Sequence, residues 1–204
     1  MIRIFHISDF HLNKENLSDW KIYIKKDLIR LINERQQDGV QPIIVCTGDL
    51  IDKGSDSEWG IEEALNKFKE EVILPIIEAT NLSIDRFVII PGNHDIDRKK
   101  DKSFQANGLR GEFKKEQAKE INRFTQNVLD NMEYDGVKRM QAYKQFEAEL
   151  YRDCPNVHPS YFSTYFTYEI NGVKVGIAGY NSSWNAYDNN DKSEGLAIGE
   201  AQYN

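Results

Sequence analysis

Apolar residues along the chain fall into short runs separated by longer amphipathic stretches. The first run, Ile2, Ile4, Phe5 and Ile7, is β-branched and aromatic and reads as a buried strand. "LSDWKIYIKKDLIRLINERQQDG" follows as an amphipathic helix. Ser18 or Asp19 is placed to cap it, Ile24, Leu28, Leu31 and Ile32 form its apolar stripe, and Gly39 ends it. A second apolar run, "VQPIIVCTGDL", is bounded by Pro42 and Gly48. "SEWGIEEALNKFKEEVILPIIEAT" predicts a second helix, kinked or interrupted at Pro75, and "DRFVIIPGNHD" a third strand. Strand, helix, strand, helix, strand is the pattern of an α/β fold with a parallel sheet.

That rhythm breaks between about Asp97 and Ser160. "RKKDK" and "RGEFKK" read as charged loops. "AKEINRFTQNVLDNM" carries a helical stripe at Ile121, Phe124, Val128 and Met132, and "VKRMQAYKQFEAELY" another at Met140, Tyr143, Phe146 and Leu150. These predict a helical insertion at about 97–160, packed on the core of a single domain spanning 1–204. The chain resumes with Phe166, Tyr168 and Ile170 alternating with polar residues, then Asn171-Gly172, then Val173, Val175 and Ile177. Asn-Gly between two alternating runs predicts a hairpin with a type I′ turn, here in a second sheet.

Composition narrows the function classes. The 204 residues are 40% hydrophobic and 29% charged, as in a globular protein. A net charge of −7 argues against strong non-specific binding to nucleic acid, though not against an enzyme acting on a nucleotide. Cys46 and Cys154 stand in no ligand spacing, and Cys46 reads as a small core residue. No apolar run approaches the ~18–20 residues of a membrane span, and the first strand begins without a leader pattern. The expectation is a cytoplasmic protein with no membrane partner.

Each of the three predicted parallel strands ends in residues able to bind metal or move protons: Asp9 and His11, Asp49, and Asn93 with His94. Residues i and i+2 of an extended chain point the same way, so Asp9 and His11 can aim a carboxylate oxygen and an imidazole nitrogen at one point. Such donors suit Mn, Fe or Zn. Alone, Asp9-Phe10-His11 reads equally as an N-cap aspartate beside a surface histidine; three endings in register do not. In open α/β sheets the ligand site lies beyond the carboxyl ends of the strands. Gly48 and Gly92 supply backbone freedom there. His6, inside the first strand, reads as a core histidine rather than a ligand. Asp52 reads either as the partner of a ligand histidine or as a helix N-terminal charge. Arg98 reads as half of a solvated ion pair with Asp97 before it reads as a phosphate contact. Lys99, Lys100 and Lys102 extend that basic cluster, which reads as solvated before it reads as gathering an anionic substrate. Tyr161, Phe162, Tyr165, Phe166 and Tyr168 invite a base-stacking reading, but strand alternation already explains several of them.

The three endings, Asp9-Phe10-His11, Gly48-Asp49-Leu50-Ile51-Asp52 and Gly92-Asn93-His94-Asp95, resemble the D-x-H, G-D-x-x-D and G-N-H-[DE] motifs of the calcineurin-like metallophosphoesterases in order and spacing. The match covers residues 1–95 and, more loosely, the hairpin and "GYNSSW" near 165–184. The resemblance implies a four-layer α/β/β/α sandwich of two mixed sheets around a dinuclear centre of Mn, Fe or Zn. Asp9 and His11 would hold the first metal, Asp49 would bridge both, and Asn93 would bind the second. His94 would face the substrate to stabilise the transition state or protonate the leaving group, with Asp95 orienting its ring. Asn181, where the family often has a polar residue, joins as a substrate-side candidate. The implied chemistry is hydrolysis of a phosphomonoester or phosphodiester. Two cations lower the pKa of a shared water to supply hydroxide, and they clamp the phosphoryl oxygens.

The chain departs from the family in lacking the two later histidine motifs. It has four histidines, only His158 follows His94, and no G-H-x-H occurs. "EGLAIGEAQYN" resembles the segment that precedes those motifs. The expectation is a chain truncated on its C-terminal side, from a parent with further C-terminal sequence. This piece would hold one metal or none and turn over poorly. The alternatives are a natural short scaffold of the same fold that binds a protein partner, and recruitment of His158 or of a second chain's residues. The substrate, whether cyclic nucleotide, nucleic acid, phosphoprotein or metabolite, is not legible.

Overall fold

A computed structural model describes residues 2–36, 39–101, 108, 111, 118–186 and 196–203. Strands β1 (Ile4–Ile7), β2 (Ile43–Thr47) and β3 (Phe87–Ile90) form a parallel sheet in that order. Ile7 lies opposite Cys46 and Thr47 opposite Ile90, which brings the three carboxyl ends level. Central β2 buries Ile43, Ile44 and Cys46 completely. β1 is not the buried strand its composition predicts: Ile4 is 56% exposed, Ile2 is exposed too, and so is His6. Ile2, Ile4 and His6 alternate along the chain and share one face of the strand, and that face is open. His6 is therefore no core histidine; its Nε2 lies 2.7 Å from Thr47 Oγ1 at the surface.

A turn of helix α1 (Leu17–Asp19), a π-helical stretch (Trp20–Ile24) and α2 (Lys25–Gln36) follow one another without a break. Neither Ser18 nor Asp19 caps this segment. Asn16 is the N-cap, and Asn13 and Asn16 each accept the other's backbone N–H on their side-chain oxygens, at 2.9 Å. The wide π turn, bonded i to i+5, rotates the apolar stripe. Trp20 and Ile32 are buried with Leu28 and Ile29 against them, while Ile24 and Leu31 face solvent. α3 (Ile61–Phe68), a second π stretch (Lys69–Ile73) and α4 (Leu74–Thr80) make the next helical segment. Pro75 has no N–H to give the Glu71 carbonyl one turn back. The indole N–H of Trp20 donates there instead, at 2.8 Å, and locks the two helical segments together.

Within the insertion, α5 (Ala118–Asn131) buries Val128 and Thr125, with Ile121 and Phe124 half-buried. Met132 lies beyond its end, at φ 54° and 73% exposed, so it leaves the predicted stripe. Lys102 and most of "RGEFKK" lie outside the described residues. α6 (Gln141–Leu150) packs on α3 and buries Tyr143, Phe146 and Leu150, and Met140 just before it is buried as well. Tyr151 then completes the free flank of β3: its hydroxyl donates to the Phe87 carbonyl at 2.5 Å and accepts the Ile89 N–H at 3.2 Å.

The predicted second sheet is present. β4 (Val157–Pro159), β5 (Ser163–Ile170) and β6 (Val173–Tyr180) pair antiparallel. The β5–β6 turn has positive φ at both Asn171 and Gly172, 53° and 75°, as a type I′ turn requires. The architecture is thus mixed α/β, with one parallel and one antiparallel sheet. Among the described residues, no helix is long and apolar enough to cross a membrane.

Replacing Tyr151 with Phe strands a buried carbonyl and a buried N–H at the flank of β3. The expected cost is about 1–3 kcal/mol, read as a lower urea midpoint at unchanged slope.

Candidate metal centre

The parallel pairing of β1 and β2 runs on past the strands. Asp9 N–H donates to the Gly48 carbonyl (3.2 Å), His11 N–H to that of Asp49 (2.8 Å) and Leu12 N–H to that of Leu50 (3.1 Å). Keeping these bonds while turning the side chains outward places Asp9, His11 and Asp49 in the left-handed region, at φ 54°, 46° and 50°. Non-glycine residues seldom adopt it, and such backbone strain clusters at functional sites.

Gly48 and Gly92 act differently from each other. Gly48 has φ +89°, the left-handed geometry that glycine permits. Gly92 is needed for space: a Cβ there would lie 2.1 Å from Asp49 Oδ1 and 2.2 Å from Asp49 N. With Gly92 bare, the Asp49 carboxylate folds over the β3 loop, and its Oδ1 accepts the His94 N–H at 3.0 Å. Its Oδ2 lies 3.6 Å from His11 Nε2.

His11, Asp49 and His94 each bring one ligand atom within 4.8 Å of the others, and all three side chains are half-buried. The His11 and His94 rings meet edge-to-face with centroids 4.6 Å apart. Asp9 stands at the solvent side, 69% exposed, with Oδ1 4.0 Å from His11 Nε2. Two imidazoles and two carboxylates fit a borderline divalent cation in donor type and charge. Asn93 shares the loop, and its main-chain carbonyl accepts from Arg98 Nη2 at 3.1 Å. Arg98 therefore braces the loop through this bond.

The two remaining aspartates divide the work in a way the spacing does not reveal. Asp95, expected to orient the His94 ring, is fully buried, and its carboxylate accepts main-chain N–H from Gly92 (2.8 Å) and Ile51 (3.1 Å). Burial pushes its carboxyl up to about 7 against the pull of those N–H groups. Asp52 is the carboxylate beside the rings, its Oδ1 3.4 Å from His94 Nδ1 and 3.9 Å from His11 Nδ1. His94 Nδ1 also meets the Lys53 N–H at 3.0 Å. It accepts that bond when the ring is neutral and turns to Asp52 when the ring carries a second proton. Burial lowers the His94 pKa, with His11 and Arg98 acting in the same direction against Asp49 and Asp52.

Asn181 is buried away from this chemistry. Its Oδ1 accepts the Ser183 N–H at 2.8 Å and its Nδ2 points at Met140 Sδ, 3.6 Å away. Each end of its amide thus has a partner inside the protein. Lys99 pairs with Asp56 at 2.5 Å. Sequence reasoning missed Lys53, Asn13 and Asn16. Asn13 Nδ2 reaches Asp52 Oδ2 at 3.4 Å, and Asn16 Nδ2 holds the His11 carbonyl at 2.9 Å. The Asn-x-x-Asn spacing just before the first helix was the available signal for the last two. Nothing in the sequence pointed to Lys53, which acts through its main chain.

Residues 2–177 match the family model of the calcineurin-like phosphoesterases. The chain belongs to that family. A curated relative, the uncharacterized metallophosphoesterase-like protein YydB of Bacillus subtilis (strain 168), is 29% identical over 97 residues, 48% of this phosphoesterase chain and 18% of the relative. No solved structure gives a significant match. The family is one of phosphoesterases that use divalent metals, and among the described residues the His11–Asp49–His94 group could hold a metal ion.

Gly92→Ala should expel the Asp49 carboxylate from its place over the loop. After equilibration with Mn²⁺, bound metal per chain is expected to fall well below that of the wild type, while the far-UV circular dichroism is retained.

Proposed function

We propose that this phosphoesterase domain hydrolyses phosphomonoesters or phosphodiesters with two divalent ions, drawn from Mn, Fe and Zn, in a four-layer sandwich working in the cytoplasm. The approach of His11 Nε2 to Asp49 Oδ2 at 3.6 Å, with His94 beside them, in a chain of this family, carries the reading. Asp9 and His11 would hold one ion, Asp49 would be shared between the two, and Asn93 would serve the second. When bound, such ions activate water and polarise the phosphoryl oxygens.

The rest belongs to the chain's own side chains. Asp49 would bring the needed negative charge to both ions, while Asn93 would add a neutral oxygen that leaves them electrophilic. His94 gives a proton to the leaving oxygen, and Asp52 at 3.4 Å steadies the ring as its charge changes. Asp95, bonded to the backbone of both loops, holds Asp49 and His94 in register. Among the described residues the second ion would have Asp49 and Asn93, fewer donors than the first, and would bind more weakly.

The deciding experiment pairs metal stoichiometry with turnover of bis(p-nitrophenyl) phosphate and p-nitrophenyl phosphate at saturating Mn²⁺. The wild type is expected to bind Mn²⁺ and turn over slowly, and Asp49→Asn to lose both properties. His94→Gln is expected to keep the tighter metal while kcat falls by about 10²–10⁴, the usual worth of a general acid. Metal binding with no hydrolysis of either ester would overturn the enzymatic reading and favour a scaffold that binds a protein partner.

A further inference from the structure

The loop between α5 and α6 and the β4–β5 connection meet around a cleft of about 360 Å³, lined chiefly by Tyr134, Lys138, Gln141, Lys144, Gln145 and Tyr161. That volume lies within the roughly 300–1,000 Å³ of small-molecule sites. None of these residues belongs to the metal group, so the cleft is a separate feature. Its floor is aromatic. The Tyr134 and Tyr161 rings stack with centroids 4.4 Å apart and planes 24° from parallel. Tyr161 is pinned by its hydroxyl, which donates to the Val137 carbonyl at 2.7 Å. Tyr134 is 37% exposed and leaves surface open for a further stacking partner.

The rim is polar. Lys144 pairs with the buried Glu147, and Lys138 pairs with Asp135 at the surface. Gln141 and Gln145 are exposed and stand one helical turn apart on α6. Neither amide has a hydrogen-bond partner among the described residues, and each offers a donor and an acceptor in one plane. A flat π surface edged by planar amides complements a heteroaromatic ring with its own in-plane donors and acceptors. Glutamine pairs bidentately with the N6 and N7 edge of adenine.

We propose that this cleft binds an unpaired adenine base, stacked on Tyr134 and read at its edge by Gln141 and Gln145. The base comes either from a free nucleoside or from a single strand. With a chain charge of −7, a strand is held here through its base rather than its backbone.

Equilibrium dialysis with adenosine, and fluorescence anisotropy with a dye-labelled oligoadenylate, test this on the intact chain. Adenosine is expected to bind saturably and more tightly than thymidine. Tyr134→Ala should weaken it by about fivefold or more, the scale of one base–aromatic stack, while Tyr134→Phe keeps the affinity. The double variant Gln141→Ala/Gln145→Ala should erase the preference for adenosine. Oligoadenylate binding more tightly than adenosine identifies a single strand as the source, and equal affinity a free nucleoside. The proposal is overturned if adenosine shows no saturation up to its solubility, or if Tyr134→Ala leaves binding intact. Loss of binding in Asp49→Asn would overturn it equally, because the base would then belong to the metal centre.

Discussion

The Asp49 carboxylate occupies space that any side chain at residue 92 would fill. On that close approach the candidate centre depends. One oxygen of Asp49 holds the main chain of the third loop at His94, and the other faces the imidazole of the first loop at His11. A single side chain on the central strand thus ties all three strand ends. Asp9, His11 and Asp49 sit in left-handed backbone conformations, a strain of about 1–3 kcal/mol each. The continued main-chain bonding from Asp9 to Leu12 offsets that strain.

Four aspartates lie close to this point, and burial separates what they can do. Asp9 is open to solvent and can approach a cation freely. Asp49 and Asp52 are mostly covered and stand beside imidazoles. Asp95 has no access to solvent, and its oxygens meet main-chain N–H groups. A carboxylate so placed organises the backbone instead of meeting substrate. Residues of one type, a few positions apart, are a possible ligand, a ring partner and a structural clasp.

The insertion braces the same loop from behind. Asp97 N–H bonds the Arg139 carbonyl at 2.9 Å, and the Arg139 guanidinium pairs with Asp101 in a fully covered contact at 2.9 Å. Arg139 Nη1 continues to the Ala186 carbonyl at 2.5 Å, and Asp101 also takes the main-chain N–H of Lys138 and Arg139. A buried ion pair contributes little net stability against a well-packed apolar alternative. What it adds here is direction, because Arg139 Nη1 and both oxygens of Asp101 meet specific backbone atoms. Glu147 on α6 receives the Thr164 hydroxyl at 2.6 Å, which joins the insertion to the second sheet as well. The aromatic cleft lies along this junction.

Much of the plan was legible in the sequence. Periodicity located the parallel strands, the two main helical segments and the Asn171-Gly172 hairpin, because each is a local pattern with a local cause. The endings at Asp9, Asp49 and His94 were legible for the same reason: an apolar run that stops at an ionisable group needs explaining. Exposure was not legible. The covering of Ile4, Ile24 and Leu31 depends on which face of β1 is left open and where a π turn falls, and Pro75 acts through Trp20, 55 residues earlier in the chain. The partner of His94 was also beyond reach, since Asp52 and Asp95 are equally plausible by spacing and only the packing of the loops decides between them. Sequence determined which groups arrive at the strand ends; tertiary structure alone decided which of them touch, because contact depends on backbone approach and burial that no local pattern records.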